Sequence, residues 1–80
     1  MITVEVRLFA SLRKYRPNLG IGEPLLIALD DKAKLGNLFD DLKIPKEEIK
    51  AVFVNGKWEE ESYLLSDRDR IGIFPPIGGG

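Results

Sequence analysis

Arg70-Ile71-Gly72-Ile73-Phe74-Pro75-Pro76-Ile77-Gly78-Gly79-Gly80 runs from a short strand straight into two prolines and three glycines. Ile71 and Ile73 point one way, with the period of a strand that buries one face. Pro75 and Pro76 have no amide hydrogen and a fixed φ, so neither continues a sheet interior or a helix. Glycine is the residue whose backbone passes a narrow channel without a Cβ collision. The six residues after Phe74, at roughly 3.3 Å each when extended, reach about 20 Å. The stretch therefore predicts a last strand that ends at Phe74. Beyond it, residues 75–80 form a flexible projecting tail that carries an unhindered carboxylate on Gly80.

Working back from that strand, Ser66-Asp67-Arg68-Asp69 reads as a turn. Val52-Phe53-Val54 followed by Asn55-Gly56 reads as a hairpin, because a type I′ turn needs positive φ at both central residues. Lys57-Trp58 begins the return strand, and Trp58 is expected to pack on the sheet edge beside a solvated Glu59-Glu60-Glu61. Leu35, Leu38, Phe39 and Leu42 fall at i, i+3, i+4 and i+7, which predicts one helix near residues 34–43, stopped by Pro45. Leu25 to Leu29 is an apolar strand. The turn-forming residues 16–24 separate it from residues 2–10, where Ile2, Val4, Val6, Leu8 and Ala10 alternate against Thr3, Glu5, Arg7 and Phe9. Two strands, a helix and two or three further strands describe an α+β fold, a β-grasp: a mixed sheet of four or five strands over one main helix. If the first and last strands pair in mid-sheet, the core holds both ends, and only the tail is displayed.

At 80 residues, the chain is read as a single domain, 1–80, near the lower size for an unstapled core. It has no cysteine and no histidine. That leaves no disulfide framework, no thiolate ligand, and neither of the commonest acid–base and metal-binding groups. Ser11, Ser62 and Ser66 lack an activating histidine and are read as structural. The net charge is −1, with 12 basic and 13 acidic side chains interspersed, which argues against nucleic-acid and membrane-surface binding. Asp30-Asp31 and Asp40-Asp41 lack a third ligand at metal spacing, so no metal site is expected. Gly20-Ile21-Gly22 lacks the third glycine of a dinucleotide fingerprint. The N-terminal stretch has no signal-peptide pattern, and no apolar run approaches a membrane span, so a cytoplasmic location is expected.

The tail Phe74-Pro75-Pro76-Ile77-Gly78-Gly79-Gly80, the stretch Val6-Arg7-Leu8-Phe9-Ala10-Ser11-Leu12-Arg13 and the Val52-to-Gly56 hairpin resemble the ubiquitin-like sulfur carriers. The likeness is nearest to the small subunit of molybdopterin synthase and extends to the thiamine-pathway sulfur carrier. The chain differs from these relatives in three places. Arg68 stands where a glycine is usual between two aspartates. Lys34 stands where a threonine often caps the helix. Gly78 replaces a usual alanine or serine.

The resemblance implies that the chain is not itself an enzyme. A ubiquitin-activating-like adenylating enzyme would use ATP to activate Gly80, and a sulfur donor would convert the acyl-adenylate to a thiocarboxylate. Gly79 and Gly78 would thread the tail into the active site of a synthase large subunit or an equivalent acceptor. No cofactor would be bound by this chain. Phe74, Pro75, Pro76 and Ile77 would meet the partner, with Phe74 open to being either a core aromatic or an interface anchor. Two other uses fit the residues: a modifier joined through Gly80 to lysine, and an interaction module with an inert tail.

Overall fold

The computed structural model describes residues 1–20 and 22–76, which form five strands, one α-helix and two short 3-10 helices. The strands are β1 (Ile2–Leu8), β2 (Leu25–Leu29), β3 (Ala51–Val54), β4 (Lys57–Trp58) and β5 (Arg70–Phe74), and the helix is α1 (Leu35–Leu42). They make one mixed sheet in the order β2-β1-β5-β3-β4. The two ends of the chain meet at its centre, where β1 runs parallel to β5 with Val6 opposite Ile71 and Leu8 opposite Ile73. Every other pairing is antiparallel: β1 with β2, β3 with β5, and β3 with β4. This is the β-grasp expected from the order of elements.

Alternation along β1 and β5 sends Ile2, Val4, Val6, Leu8, Ile71 and Ile73 to one face, where Val52 and Val54 of β3 join them. The predicted helical stripe, Leu35, Leu38, Phe39 and Leu42, is buried against that face. At the helix start, Lys34 supplies no side-chain cap. The loop before β5 replaces it: the Leu35 and Gly36 N–H groups donate to the carbonyls of Tyr63 (3.0 Å) and Glu61 (2.9 Å). The Asn37 carboxamide accepts from the Lys34 N–H at 2.8 Å. The otherwise unsatisfied first-turn donors are thus covered by tertiary contacts. The helix closes at Lys43, which is left-handed with φ +61°.

Two readings change in the structure. The alternation assigned to residues 2–10 stops at Leu8. Ala10 turns to φ +52° and opens a 3-10 helix, Ala10–Tyr15, that carries Leu12 into the core. Trp58 pairs with Phe53 on the edge strand, yet 60% of it stays exposed, because a two-residue β4 offers little to pack against. Arg68, in the turn before β5, occupies the left-handed region at φ +70°, which a residue with a Cβ adopts at a steric cost.

Candidate functional site at the base of the C-terminal segment

Ile77, Gly78, Gly79 and Gly80 lie outside the described residues. Their base does not. Because β5 sends Ile71 and Ile73 into the core, Phe74 faces outward on the sheet surface opposite α1, half-buried. The Phe9 ring stacks on it, with centroids 4.3 Å apart and planes 2° from parallel. Phe53 meets it edge-on at 5.6 Å and 74°. Gly72 leaves the floor beneath these rings clear, since a Cβ there would stand 3.2 Å from Phe9 Cε2 and 3.5 Å from Phe74 Cε1. Phe74 is therefore the centre of an aromatic platform and lies outside the helix-side core.

The backbone at this point is held from both sides. The Phe9 N–H donates to the Ile73 carbonyl at 3.2 Å, and the Lys50 N–H donates to the Phe74 carbonyl at 2.8 Å. The ladder ends there, because Pro75 has no donor to extend it. Around the departing chain lies an apolar groove of about 760 Å³, with Phe9, Ala10 and Ser11 on one wall, Lys50 and Ala51 on the other, and Pro75 and Pro76 at its mouth. A second cavity of about 300 Å³ opens on the same sheet face between Arg7, Phe53, Arg70 and Gly72. The Phe9–Phe74 stack borders both cavities.

The rim of the platform is basic. Arg7 is held by Glu5 (2.7 Å) and by the Gly22 carbonyl (3.2 Å). Among the described residues Arg70 makes no ion pair, and Lys50 stands exposed beside the groove. Ionisable groups with shifted affinity for protons sit further back. Tyr15 donates its hydroxyl to Glu48, and Lys14 Nζ lies 2.9 Å from the same carboxylate. The Tyr15 hydrogen bond first, and Lys14 second, hold the Glu48 carboxyl below the usual carboxylate range. This contact ties the end of the first 3-10 helix to the second, Lys46–Glu48, so it braces the segments that form the two groove walls.

Phe74, Pro75 and Pro76 thus come together where the sequence places them. Phe9, Phe53 and Gly72 complete the platform and went unremarked in the sequence as site residues. A signal was available: Phe53 stands between Val52 and Val54, and a phenylalanine flanked by two core residues on a strand must face out. Among the described residues no three of His, Cys, Asp or Glu converge to hold a metal ion. No helix among them is long and apolar enough to cross a membrane.

Residues 6–80 match the profile of the ThiS family. No curated protein sequence matches the chain. Among solved structures, a Pyrococcus furiosus protein proposed to be subunit 1 of a molybdopterin converting factor is 25% identical, with TM-score 0.76, over 96% of this chain and 100% of that one. Subunits 1 and 2 of the Helicobacter pylori molybdopterin-converting factor form a complex that matches at 26% identity and TM-score 0.64, over 99% of this chain and 100% of the matched one. The small archaeal modifier protein 1 of Methanosarcina acetivorans is 27% identical, with TM-score 0.65, over 100% of this chain and 98% of that one.

Proposed function

Because the chain belongs to the ThiS family of ubiquitin-like sulfur carriers and small modifiers, we propose that it carries sulfur as a thiocarboxylate on Gly80 and donates it in cofactor biosynthesis. The observation that carries this reading is the family match, which runs to the three terminal glycines of the sequence and spans the strand that precedes them. A terminal carboxylate has a reference pKa of about 3.5 and is ionised and unreactive at neutral pH. A partner adenylating enzyme would transfer AMP from ATP to the Gly80 carboxylate with release of pyrophosphate. A sulfur donor would then displace AMP and leave the thiocarboxylate. Delivery of the sulfur to an acceptor, with water supplying the oxygen that replaces it, would restore the carboxylate, and this chain would cycle as a carrier while its partners catalyse.

The described residues have the shape this role needs. Phe9, Phe53 and Phe74 give a partner a preformed aromatic anchor, and the flanking Arg70 and Lys50 favour a partner with an acidic rim. Pro75, Pro76 and Ile77 would lead from that anchor toward the partner's active site, and Gly78 and Gly79 would pass its channel. The complex of subunits 1 and 2 in the Helicobacter pylori relative favours a synthase large subunit as one such partner.

The likeness to a small archaeal modifier favours a second reading, conjugation of Gly80 to lysine amines. Intact-mass analysis after incubation with ATP, a sulfur source and the adenylating enzymes of the same cell separates the two. Exchange of one terminal oxygen for sulfur supports the carrier. Gly80 found only in isopeptide bonds would replace that reading with the modifier.

A further inference from the structure

The Asn55-Gly56 turn that shapes the β3–β4 hairpin also has a chemistry of its own. Glycine leaves its backbone nitrogen unhindered, so this nitrogen attacks Cγ of a preceding asparagine, the bond from Cγ to the side-chain nitrogen breaks, and ammonia leaves. Water then opens the succinimide to aspartate or isoaspartate. One water is consumed, one ammonia is released, and no further reactant is required. Gly56 is exposed, with nothing within 4 Å of where a Cβ would stand.

The restraint comes from the other side of the strand. Asn55 Nδ2 donates to Asp69 Oδ1 at 2.9 Å, and Asn55 Oδ1 accepts from the Arg70 N–H at 3.0 Å. The other oxygen of Asp69 accepts from the Ser66 N–H at 2.8 Å. Asp69 is only 5% exposed and is the one charged or polar side chain buried among the described residues. In the sheet, β5 and β4 lie on opposite sides of β3. The carboxamide is therefore drawn toward β5, away from the strand into which Gly56 leads.

We propose that Asn55 is a deamidation site gated by Asp69: protected while the hairpin is closed against β5, reactive when it opens, and irreversible once converted. The product carboxylate would replace a donor with a second acceptor beside a buried carboxylate, so the pair could close only by holding a proton between them. The groups around the pair offer no compensating cation. Tyr63, from the loop before β5, faces Asp69 as a neutral phenol whose proton burial first, and Asp69 next, help to retain. Asp67 is turned to the Thr3 N–H at 2.8 Å, and the Arg68 side chain is 93% exposed. Arg70 engages Asn55 through its backbone, with its side chain among the outer-face residues of the 300 Å³ cavity. Since Phe53 and Gly56 border that same cavity, conversion would act as a one-way timer on the docking face.

The test follows Asn55 by peptide mapping of the full chain in mildly alkaline buffer, with and without denaturant. Reaction through an opened hairpin should be at least about tenfold slower in the folded chain, and Asp69→Ala should raise its rate toward the denatured value. Because Asp69→Ala also removes a buried acceptor of the Ser66 N–H, two further variants provide a readout independent of that loss. Asn55→Asp should lower the urea midpoint at neutral pH and recover it as acid protonates one carboxyl of the pair. Asn55→Asp combined with Asp69→Asn should restore the midpoint at neutral pH, since donor and acceptor have only changed places. Equal deamidation rates in folded and denatured chain, an unshifted midpoint for Asn55→Asp, or a double variant no better than the single would each overturn the proposal.

Discussion

Replacing Phe74 with alanine tests whether the platform works in docking or only in folding. The ring is half-buried on the outer face, so the loss should fall short of the roughly 3 to 5 kcal/mol typical of a fully buried Phe→Ala change. What remains is partial burial plus two aromatic pairs, the stack on Phe9 and the edge contact with Phe53. Such pairs contribute about 0.5 to 1.5 kcal/mol each beyond area. A destabilisation of about 2 to 3 kcal/mol is expected, which a domain of this size, with about 4 to 12 kcal/mol in total, survives folded. Affinity for the adenylating partner should fall by about 2 kcal/mol or more, roughly thirtyfold. Phe39→Ala is the matched control. Phe39 is 4% exposed in the helix-side core, so its loss should cost about 3 to 5 kcal/mol of stability and leave the affinity of the folded fraction unchanged. Urea unfolding beside calorimetric titration of the partner gives both quantities. If Phe74→Ala destabilises as much as Phe39→Ala and binds normally once corrected for folded fraction, the docking role is refuted.

Arg68→Gly should stabilise the fold by about 0.5 to 1 kcal/mol by relieving the left-handed φ of +70°, visible as a higher urea midpoint at unchanged slope. Tyr15→Phe should move the Glu48 titration upward, toward the usual glutamate value of about 4.3, in a carbon-detected NMR titration. Glu48's folded-state affinity for protons is depressed, so its stabilising contribution is present above the ordinary glutamate pKa and is lost as pH falls through the lowered one. Tyr15→Phe should therefore narrow that acid-sensitive window. One residue added after Gly80, or a β-branched residue in place of Gly79, should abolish ATP-dependent activation while stability stays within about 0.5 kcal/mol. Adenylation of the extended chain at the parent rate, without trimming, would count against a channel sized for glycine.

Much of the fold was legible because its signals are local. The stripe Leu35, Leu38, Phe39, Leu42 lies within two turns of helix, the alternation of β1 within one strand, and Asn55-Gly56 within one turn whose φ values of +52° and +86° are those that the residue pair favours. Of the site, Phe74, Pro75 and Pro76 were legible as the end of a strand. The outward faces of Phe9 and Phe53 were also legible from alternation, but their contacts with Phe74 were not, because those depend on register, and register is set by which strands pair.

The same division of local from distant holds throughout the chain. Side-chain period, proline, glycine and turn chemistry act over a few residues, so the sequence by itself determined the strands, the α-helix, their order and the terminal glycines on which the proposed chemistry rests, but neither 3-10 helix. The tertiary structure alone decided that Lys34 needs no side-chain cap, because carbonyls from residues 61 and 63, far along the chain, reach the first turn of the helix. It alone joined Asn55 to Asp69 and turned the chain at Ala10 into the 3-10 helix on which Leu12 is buried. Those outcomes depend on contacts between residues distant in sequence, whose free energy exists only once the sheet has closed around the helix and brought them within bonding distance.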